Sequence, residues 1–180
     1  ISASDNVNGS IAVVNQGKSH LPSGRHLVNW LAEDSAGNRT IATQIININP
    51  QARLSKTQSS SEGNLIKVNV TLSGNAPAYP VLIPYTIGGS VDLADYALAN
   101  SADVTEGSSE TEGTVIIEDG LKAALVFEIS DDQLAENDEQ LIVTLSNPVN
   151  AVLGVNAQHL VTITETNIAP RLSLSAEQNG

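Results

Sequence analysis

Apolar and polar residues alternate with a period of two along much of this chain. The clearest example is the run 65–72, in which Ile66, Val68, Val70 and Leu72 fall on one face. Such alternation is typical of a β-strand with one buried face. Other runs of Val, Ile, Leu and Thr are separated by Gly, Pro, Asn, Asp and Ser, and no helical period is long enough to predict a helix. The pattern therefore predicts an all-β protein.

About seven strands are predicted in the central part of the chain. They are Arg53–Thr57, Leu65–Leu72, Val81–Ile87, Thr114–Glu118, Leu121–Ile129, Gln140–Leu145 and His159–Thr164. Asp119-Gly120, a common hairpin turn, separates two of them, and Pro84 is expected at an edge or strand end, where a missing N–H group is tolerated. Short antiparallel strands in this number indicate an antiparallel, immunoglobulin-like β-sandwich.

The densest run of charge lies between two of these strands. Five carboxylates fall within nine residues, those of Asp131, Asp132, Glu136, Asp138 and Glu139. Like charges this close raise each other's pKa and destabilise the folded state. Oxygen ligands at this density suit Ca²⁺, which takes six to eight of them. A solvated acidic loop is the alternative, and calcium is favoured because the rest of the chain supplies further carboxylates.

Composition limits the classes of partner. The net charge of −12 argues against nucleic acid and anionic membranes, because both require a basic surface. No apolar run is long enough to predict membrane insertion. The chain contains no cysteine, which excludes disulfides and thiolate metal sites, and only 3% aromatic residues, which predicts an aliphatic core. An acidic chain of this kind fits binding of divalent cations.

A short internal repeat predicts the domain organisation. Arg53-Leu54-Ser55 comes three residues after Pro50 and recurs as Arg171-Leu172-Ser173, directly after Pro170. The simplest interpretation is a tandem array, with residues 51–168 as one complete domain and residues 169–180 as the start of a following copy. The chain is accordingly expected to be a fragment of a longer protein. The joints at 47–51 and 166–170 are short and each contains a proline, so semi-rigid connections are expected.

Four motifs in residues 52–168 occur in an informative order. They are Ser61-Glu62-Gly63, Gly88-Gly89-Ser90 running to Asp95-Tyr96, Asp119-Gly120 before a strand that ends in Ile129-Ser130-Asp131-Asp132, and Glu136-Asn137-Asp138-Glu139 before Leu141–Leu145. In this order and spacing they resemble a Calx-β domain, the calcium-binding sandwich of sodium–calcium exchangers and large bacterial surface proteins. The resemblance covers about two thirds of the chain.

The resemblance implies calcium-binding roles for particular residues. Positions that ligate calcium in that family correspond to Glu62, Asp95, Asp131, Asp132 and Glu136, and the acidic run continues through Asp138 and Glu139. Loops of a sandwich gather at its ends, so these carboxylates are expected to converge beside Glu165, where the last strand leaves the domain. Family members that bind several ions carry an aspartate run there, whereas this chain has Glu165-Thr166-Asn167. Fewer ions or weaker binding are therefore expected.

Residues 1–50 have a different pattern. A Pro-Ser-Gly strand start precedes Trp30, and Asp34-Ser35-Ala36-Gly37-Asn38 separates that strand from the next. This resembles the C-terminal half of an HYR-type or bacterial immunoglobulin-like domain. Trp30 is expected in a core, and Asp34 and Asn38 are expected to form a turn, with calcium ligation as the alternative.

The sequence predicts a non-enzymatic, calcium-binding structural or adhesion module of a multidomain extracellular surface protein. The expected partners are neighbouring domains of the same chain and a surface protein or glycan receptor. The alternative is a carbohydrate-binding module attached to a secreted polysaccharide-degrading enzyme. Catalysis is not predicted, because the three histidines are scattered and no nucleophile elbow or metalloprotease motif occurs.

Overall fold

The computed structural model describes residues 1–99, 103–107, 109–132, 135–167 and 172. These residues form an all-β fold, as the alternating pattern predicts. None of them belongs to a helix long and apolar enough to cross a membrane.

The first fifty residues form two small antiparallel sheets. Their strands are β1 (Ala3–Asp5), β2 (Gly9–Ile11), β3 (Val13–Asn15), β4 (Gly24–Glu33) and β5 (Arg39–Ile48). The first two strands pair with each other, and the other three form a sheet in the order β3-β4-β5. The turn between β4 and β5 is closed by Asp34, whose Oδ1 accepts the backbone N–H groups of Ala36 and Asn38 at 2.8 Å each.

The described residues between Gln51 and Thr164 form a β-sandwich. Its strands are β6 (Gln51–Leu54), β7 (Gln58–Ser61), β8 (Leu65–Leu72), β9 (Val81–Gly89), β10 (Tyr96–Leu98), β11 (Val104–Glu106), β12 (Glu112–Ile117), β13 (Lys122–Ile129), β14 (Glu139–Leu145), β15 (Val152–Leu153) and β16 (Gln158–Thr164). One sheet has the order β10-β13-β8-β6-β15 and the other β11-β12-β9-β14-β16-β7. The inner faces bury one continuous, mainly aliphatic core.

Alternation along the strands places the core. In β8 the predicted face is buried and the intervening residues are mostly exposed. In β9 and β14 alternate residues are again buried, and many of the intervening ones are partly buried. Tyr96 and Phe127 meet edge to face in this core, with ring centroids 5.9 Å apart and planes at 76°. This geometry suits the ring quadrupoles. The contact also holds Tyr96, at the start of β10, against Phe127 of β13, which lies opposite Leu98 at the end of β10.

The predicted first strand, Arg53–Thr57, is wrong in its extent. Strand β6 ends at Leu54, the chain crosses to the other sheet, and β7 then pairs in parallel with β16. The crossing is fixed by His159, a fully buried residue of β16 whose Nδ1 lies 2.9 Å from the backbone oxygen of Ser55. A single straight strand would leave the edge beside β16 unpaired.

The predicted hairpin at Asp119-Gly120 is also wrong. Gly120 adopts a positive φ of 71°, as a tight turn requires, but β12 and β13 belong to different sheets. Both strands bury apolar side chains in the shared core, so the chain arches across the sandwich instead of folding back within one sheet. The Tyr79 hydroxyl stabilises the arch by donating to the Gly120 carbonyl at 2.7 Å.

Pro84 lies inside β9, a central strand, and not at an edge or strand end. Its carbonyl accepts the Ser146 N–H at 2.8 Å, just beyond the end of β14 at Leu145. In an antiparallel ladder the N–H and C=O groups of one residue face the same neighbour. The missing N–H therefore faces a position where the β14 ladder has already ended.

The expected start of a following repeat, residues 169–180, lies outside the described residues except for Leu172. The second joint, 166–170, is described only as far as Asn167. The first joint is described in full, and the Gln51 N–H donates to Ser73 Oγ at 2.9 Å within the sandwich.

Candidate metal centre

Strand direction brings Glu62 and Glu165 to the same end of the sandwich. Strands β7 and β16 are parallel, with Ser61 opposite Thr164, so the residues that follow them leave side by side. The Glu62 N–H lies 3.4 Å from the Thr164 carbonyl oxygen. Parallel pairing of the edge strand β7 with β16 thus places two carboxylates that are distant in sequence next to each other.

Asp95 and Asp131 lie at the same end of the sandwich, next to strands β10 and β13 of the other sheet. Strand β13 ends at Ile129, which lies opposite Tyr96 at the start of β10. The Ser130 N–H donates to the Asp95 carbonyl at 2.8 Å, and the Gly63 N–H donates to the Ile129 carbonyl at 3.1 Å. Residues just before β10, just after β13 and just after β7 are therefore held together by backbone hydrogen bonds.

The acidic loop between β13 and β14 crosses from one sheet to the other over this end. Its described parts bring Glu136 into two groups of carboxylates, one with Glu62 and Glu165 and the other with Asp95 and Glu139. Within each group, one oxygen from each residue lies within 4.8 Å of the others. Glu136 is common to both groups and is thus the central carboxylate of the cluster.

Backbone hydrogen bonds fix Glu165 as an acceptor. Its Oε2 accepts the Glu136 N–H at 2.7 Å, and its Oε1 accepts the N–H of Asn167. These bonds, first that from Asn167 and then that from Glu136, lower the pKa of the Glu165 carboxyl. The Glu165 N–H in turn donates to Asp138 Oδ1 at 3.2 Å, which places Asp138 at the edge of the cluster.

Side-chain donors after β16 contact two more of the acidic groups. Thr166 Oγ1 donates to Glu62 Oε2 at 3.1 Å, and Asn167 Nδ2 donates to Asp131 Oδ1 at 2.9 Å. Asp132 lies near enough to Glu136 for its charge to raise the pKa of that carboxyl. The chain leaving β16 thus contacts both the β7 end and the β13 end of the cluster.

Desolvation and mutual repulsion raise the pKa of two carboxyls. Partial desolvation is the largest cause at Glu136, followed by the negative charges of Asp132, Asp95, Glu165 and Glu62. At Glu139, desolvation and then the charge of Asp95 and a hydrogen bond with it raise the pKa to about 7. A cation among these groups would favour their charged forms.

No described lysine or arginine forms an ion pair with Glu62, Asp95, Glu136, Glu139 or Glu165; the ion pair recorded among the described residues, Arg39–Glu33, belongs to the N-terminal sheet. The donors that reach the cluster are mainly backbone amides and neutral side chains. These orient the carboxylates and leave most of their charge uncompensated. The set is rich in hard oxygen atoms and contains no sulfur ligand, since the chain has no cysteine, which is the donor chemistry of Ca²⁺.

All eight residues predicted from the sequence lie at this end, although with different roles. Five of them form the two close carboxylate groups, whereas Asp131, Asp132 and Asp138 lie around these groups. Sequence reasoning missed Asp92, whose charge contributes to the raised pKa of Glu139 and whose Oδ1 accepts the Ala94 N–H at 2.6 Å. Its signal was present in the Asp92-Leu93-Ala94-Asp95 spacing, inside a motif already singled out.

The candidates in the N-terminal segment have structural contacts. Asn38 Nδ2 donates to Asp34 Oδ2 at 2.8 Å, and hydrogen bonds with Asn38 lower the pKa of Asp34. This is the predicted turn. Trp30 is partly buried and donates from Nε1 to Gln44 Oε1 at 3.0 Å.

No protein-family model matches the chain, and no curated protein matches it.

Proposed function

We propose that this chain is a non-enzymatic, calcium-binding structural module of a multidomain extracellular surface protein. The supporting observation is the convergence of carboxylates from four separate chain segments at one end of the sandwich. Glu62 follows β7, Asp95 precedes β10, Glu136 lies in the loop after β13, and Glu165 follows β16. A merely solvated acidic loop does not require acidic residues from three other segments.

Calcium would act by removing repulsion between these segments. The two carboxylate groups contain residues that follow or precede strands of both sheets, so one or two ions would connect the sheets at their open end. Ion binding to a site formed only in the folded state adds its free energy to folding. The chain leaves the sandwich through Glu165, Thr166 and Asn167, all of which contact the cluster. Calcium is therefore expected to stiffen the joint to whatever follows.

The Calx-β assignment belongs to this proposal. The four motifs occupy the ends of β7, β9 and β13 and the start of β14, and three of them supply carboxylates to the cluster. The immunoglobulin-like form of the sandwich is also part of the proposal and is supported by the strand pattern and by this resemblance, whereas the adhesive role and the extracellular location rest on the resemblance. Proposed partners are neighbouring domains and a surface protein or glycan receptor.

The alternative of a sugar-binding module needs a different surface. Aromatic platforms usually stack against sugar rings, whereas the large hydrophobic side chains exposed among the described residues are all aliphatic. No observation specifically favours that alternative.

Isothermal calorimetry on chelator-stripped protein tests the proposal. Ca²⁺ is expected to bind the wild type, and Glu136→Gln is expected to weaken binding at least about tenfold, because it removes the carboxylate shared by both groups. Glu118→Gln is the matched control, since Glu118 is an exposed residue at the opposite end of the sandwich. Absence of binding by the verified metal-free wild type contradicts the proposal, as does equal binding by both variants.

A further inference from the structure

The outer face of the β3-β4-β5 sheet carries an exposed aliphatic patch. Its exposed members are Val14, Leu27, Ile41 and Ile45, of which Leu27 and Ile41 are 63% and 64% exposed, and the half-buried Leu31 lies between Val14 and Ile41. They alternate with residues of the opposite face, where Val28 and Ala32 are buried at 3% and 6%. Apolar clusters of this kind on a soluble protein mark a contact surface.

The patch is ordered along the two long strands. Antiparallel pairing produces five rows on this face, which are Arg25 with Asn47, Leu27 with Ile45, Asn29 with Thr43, Leu31 with Ile41, and Glu33 with Arg39. The central row is polar and internally bonded, since Thr43 Oγ1 donates to Asn29 Oδ1 at 2.8 Å. Apolar rows flank it on both sides, and charged residues occupy both ends. The order of rows is therefore the same when the sheet is turned end to end.

We propose that this face binds the same face of a second copy of the chain, with the β4 strands of the two copies antiparallel. A twofold axis through the Asn29 row then places the Leu27 row of each copy against the Leu31 row of the other. Such an interface is self-complementary, as twofold dimers require. The Asn29 amide nitrogen of each copy also faces the Asn29 oxygen of the other.

Charge supports a second copy as the occupant. The twofold arrangement brings Arg25, which forms no ion pair with a described carboxylate, opposite Glu33 of the other copy, where it would join the Glu33–Arg39 ion pair of that copy. In residues 1–50 the cations Lys18, Arg25 and Arg39 balance the anions Asp5, Glu33 and Asp34, so the net charge of −12 is carried by the remainder. The N-terminal sheet is thus the part through which two copies of this acidic chain approach with least repulsion.

The size of the face predicts a weak dimer. The two ten-residue strands β4 and β5, together with the three residues of β3, present a projected area of about 400 Å². This is below the about 800 Å² per partner of a standard interface. Dissociation constants between about 10 μM and about 1 mM are therefore expected.

Sedimentation equilibrium of the full chain across that range tests the interface. The wild type is expected to approach dimer mass, and Ile45→Lys is expected to weaken association at least about tenfold, because it buries a charge. Val155→Lys, at a 93% exposed position of the sandwich, is the matched control and is expected to leave association unchanged. The same result is expected with Ca²⁺ and with chelator, which separates this interface from the metal centre.

A charge exchange tests the antiparallel arrangement. Arg25→Glu alone and Glu33→Arg alone each place like charges together in a homodimer, and each is expected to dissociate at concentrations where the wild type is dimeric. An equimolar mixture pairs opposite charges at both ends and is expected to regain dimer mass. A monomeric wild type at 1 mM overturns the proposal and leaves the face to another part of the chain; a mixture that stays monomeric overturns the antiparallel register.

Discussion

Glu139 links the acidic cluster to pH. Its pKa of about 7 exceeds the ordinary value of 4.5, so the folded protein binds a proton more tightly than the unfolded chain. Without metal, this group contributes stability that is complete below about pH 4.5 and is lost as pH rises to about 7. The raised pKa of Glu136 acts in the same direction, whereas the lowered pKa of Glu165 opposes it.

Calcium binding is accordingly expected to strengthen as pH rises from 6 to 8 and to release protons. Calorimetry at pH 7 in buffers of different ionisation enthalpy measures that release directly. Glu139→Gln should reduce it, because the substituted group has no proton to lose. An affinity that is constant from pH 6 to pH 8 would contradict the assigned role of Glu139.

Substitution of Asn167 is expected to have opposite effects on the stability of the metal-free protein and on its affinity for calcium. Its amide donates to Asp131 at 2.9 Å, which stabilises the carboxylate in the metal-free protein. Asn167→Asp replaces that donor with a like charge and should destabilise the metal-free protein by about 0.5–1 kcal/mol. With Ca²⁺ the added ligand charge should instead raise affinity severalfold. Urea unfolding with chelator measures the free energy of unfolding of the metal-free protein, and calorimetry measures the calcium affinity. An Asn167→Asp variant in which both quantities rise, or both fall, would refute the interpretation.

Gly89 controls how β9 meets β14 beside the cluster. It has φ of +121°, and a Cβ atom there would lie 1.9 Å from the Gln140 carbonyl oxygen. Backbone on both sides leaves no room for adjustment. Directly beyond it, Ser90 exchanges hydrogen bonds with Gln140 at 2.9 Å, next to Glu139.

Gly89→Ala is therefore expected to destabilise the protein by about 3 kcal/mol or more and to weaken calcium binding. Gly88→Ala is the matched control, because a Cβ at Gly88 meets nothing within 4 Å, and its effect should stay within about 0.5 kcal/mol. Chemical denaturation of the wild type and the two variants measures the change in stability for each substitution, and calorimetry measures the change in calcium binding. Similar losses in the two variants would mean that the close approach is not the cause.

At the level of elements, strong alternation of apolar and polar residues was sufficient to predict a strand, whereas weak alternation was not. Strands such as β8 and β14 were predicted from apolar periodicity because one face is buried along their whole length. The strands β7, β10, β11 and β15 were not predicted, since each has only two to four residues, and β7 and β15 also depend on parallel pairing with distant segments. The arch at Gly120 was mistaken for a hairpin because a turn dipeptide specifies local backbone geometry and not which sheet the next strand joins.

The site residues likewise divide into those that the local sequence predicts and those that depend on the pairing of distant segments. Its acidic loop was visible as local charge density, and Glu62 and Asp95 were found only through the order of the motifs. Asn167 was read as a loss of charge, and its contact with Asp131 depends on how the chain leaves β16. Contacts of this kind follow from sheet pairing across more than thirty residues of separation and have no local signal.

Across the whole molecule, charge is unevenly distributed, and this predicts how stability depends on ions. The N-terminal sheet is neutral, whereas the sandwich carries the excess negative charge and concentrates much of it at one end. Repulsion between exposed carboxylates is screened by salt, with a Debye length of about 30 Å at 0.01 M and about 10 Å at 0.1 M. The metal-free protein should therefore be least stable at low ionic strength.

Excess Ca²⁺ should raise the melting temperature most under those conditions. At a free concentration a hundred times Kd, the expected gain is about 2.7 kcal/mol, which corresponds to about 5–10 °C for a chain of this size. Calorimetric scans with Ca²⁺, with Mg²⁺ at equal ionic strength, and with chelator separate specific binding from screening, because screening alone makes the two ions equivalent. Glu136→Gln should lose most of the calcium-specific gain and keep the salt-dependent part. Identical melting of verified metal-free and calcium-loaded protein at low salt would show that the carboxylates converge without holding an ion, and the acidic end would then be a solvated surface whose repulsion the rest of the core sustains.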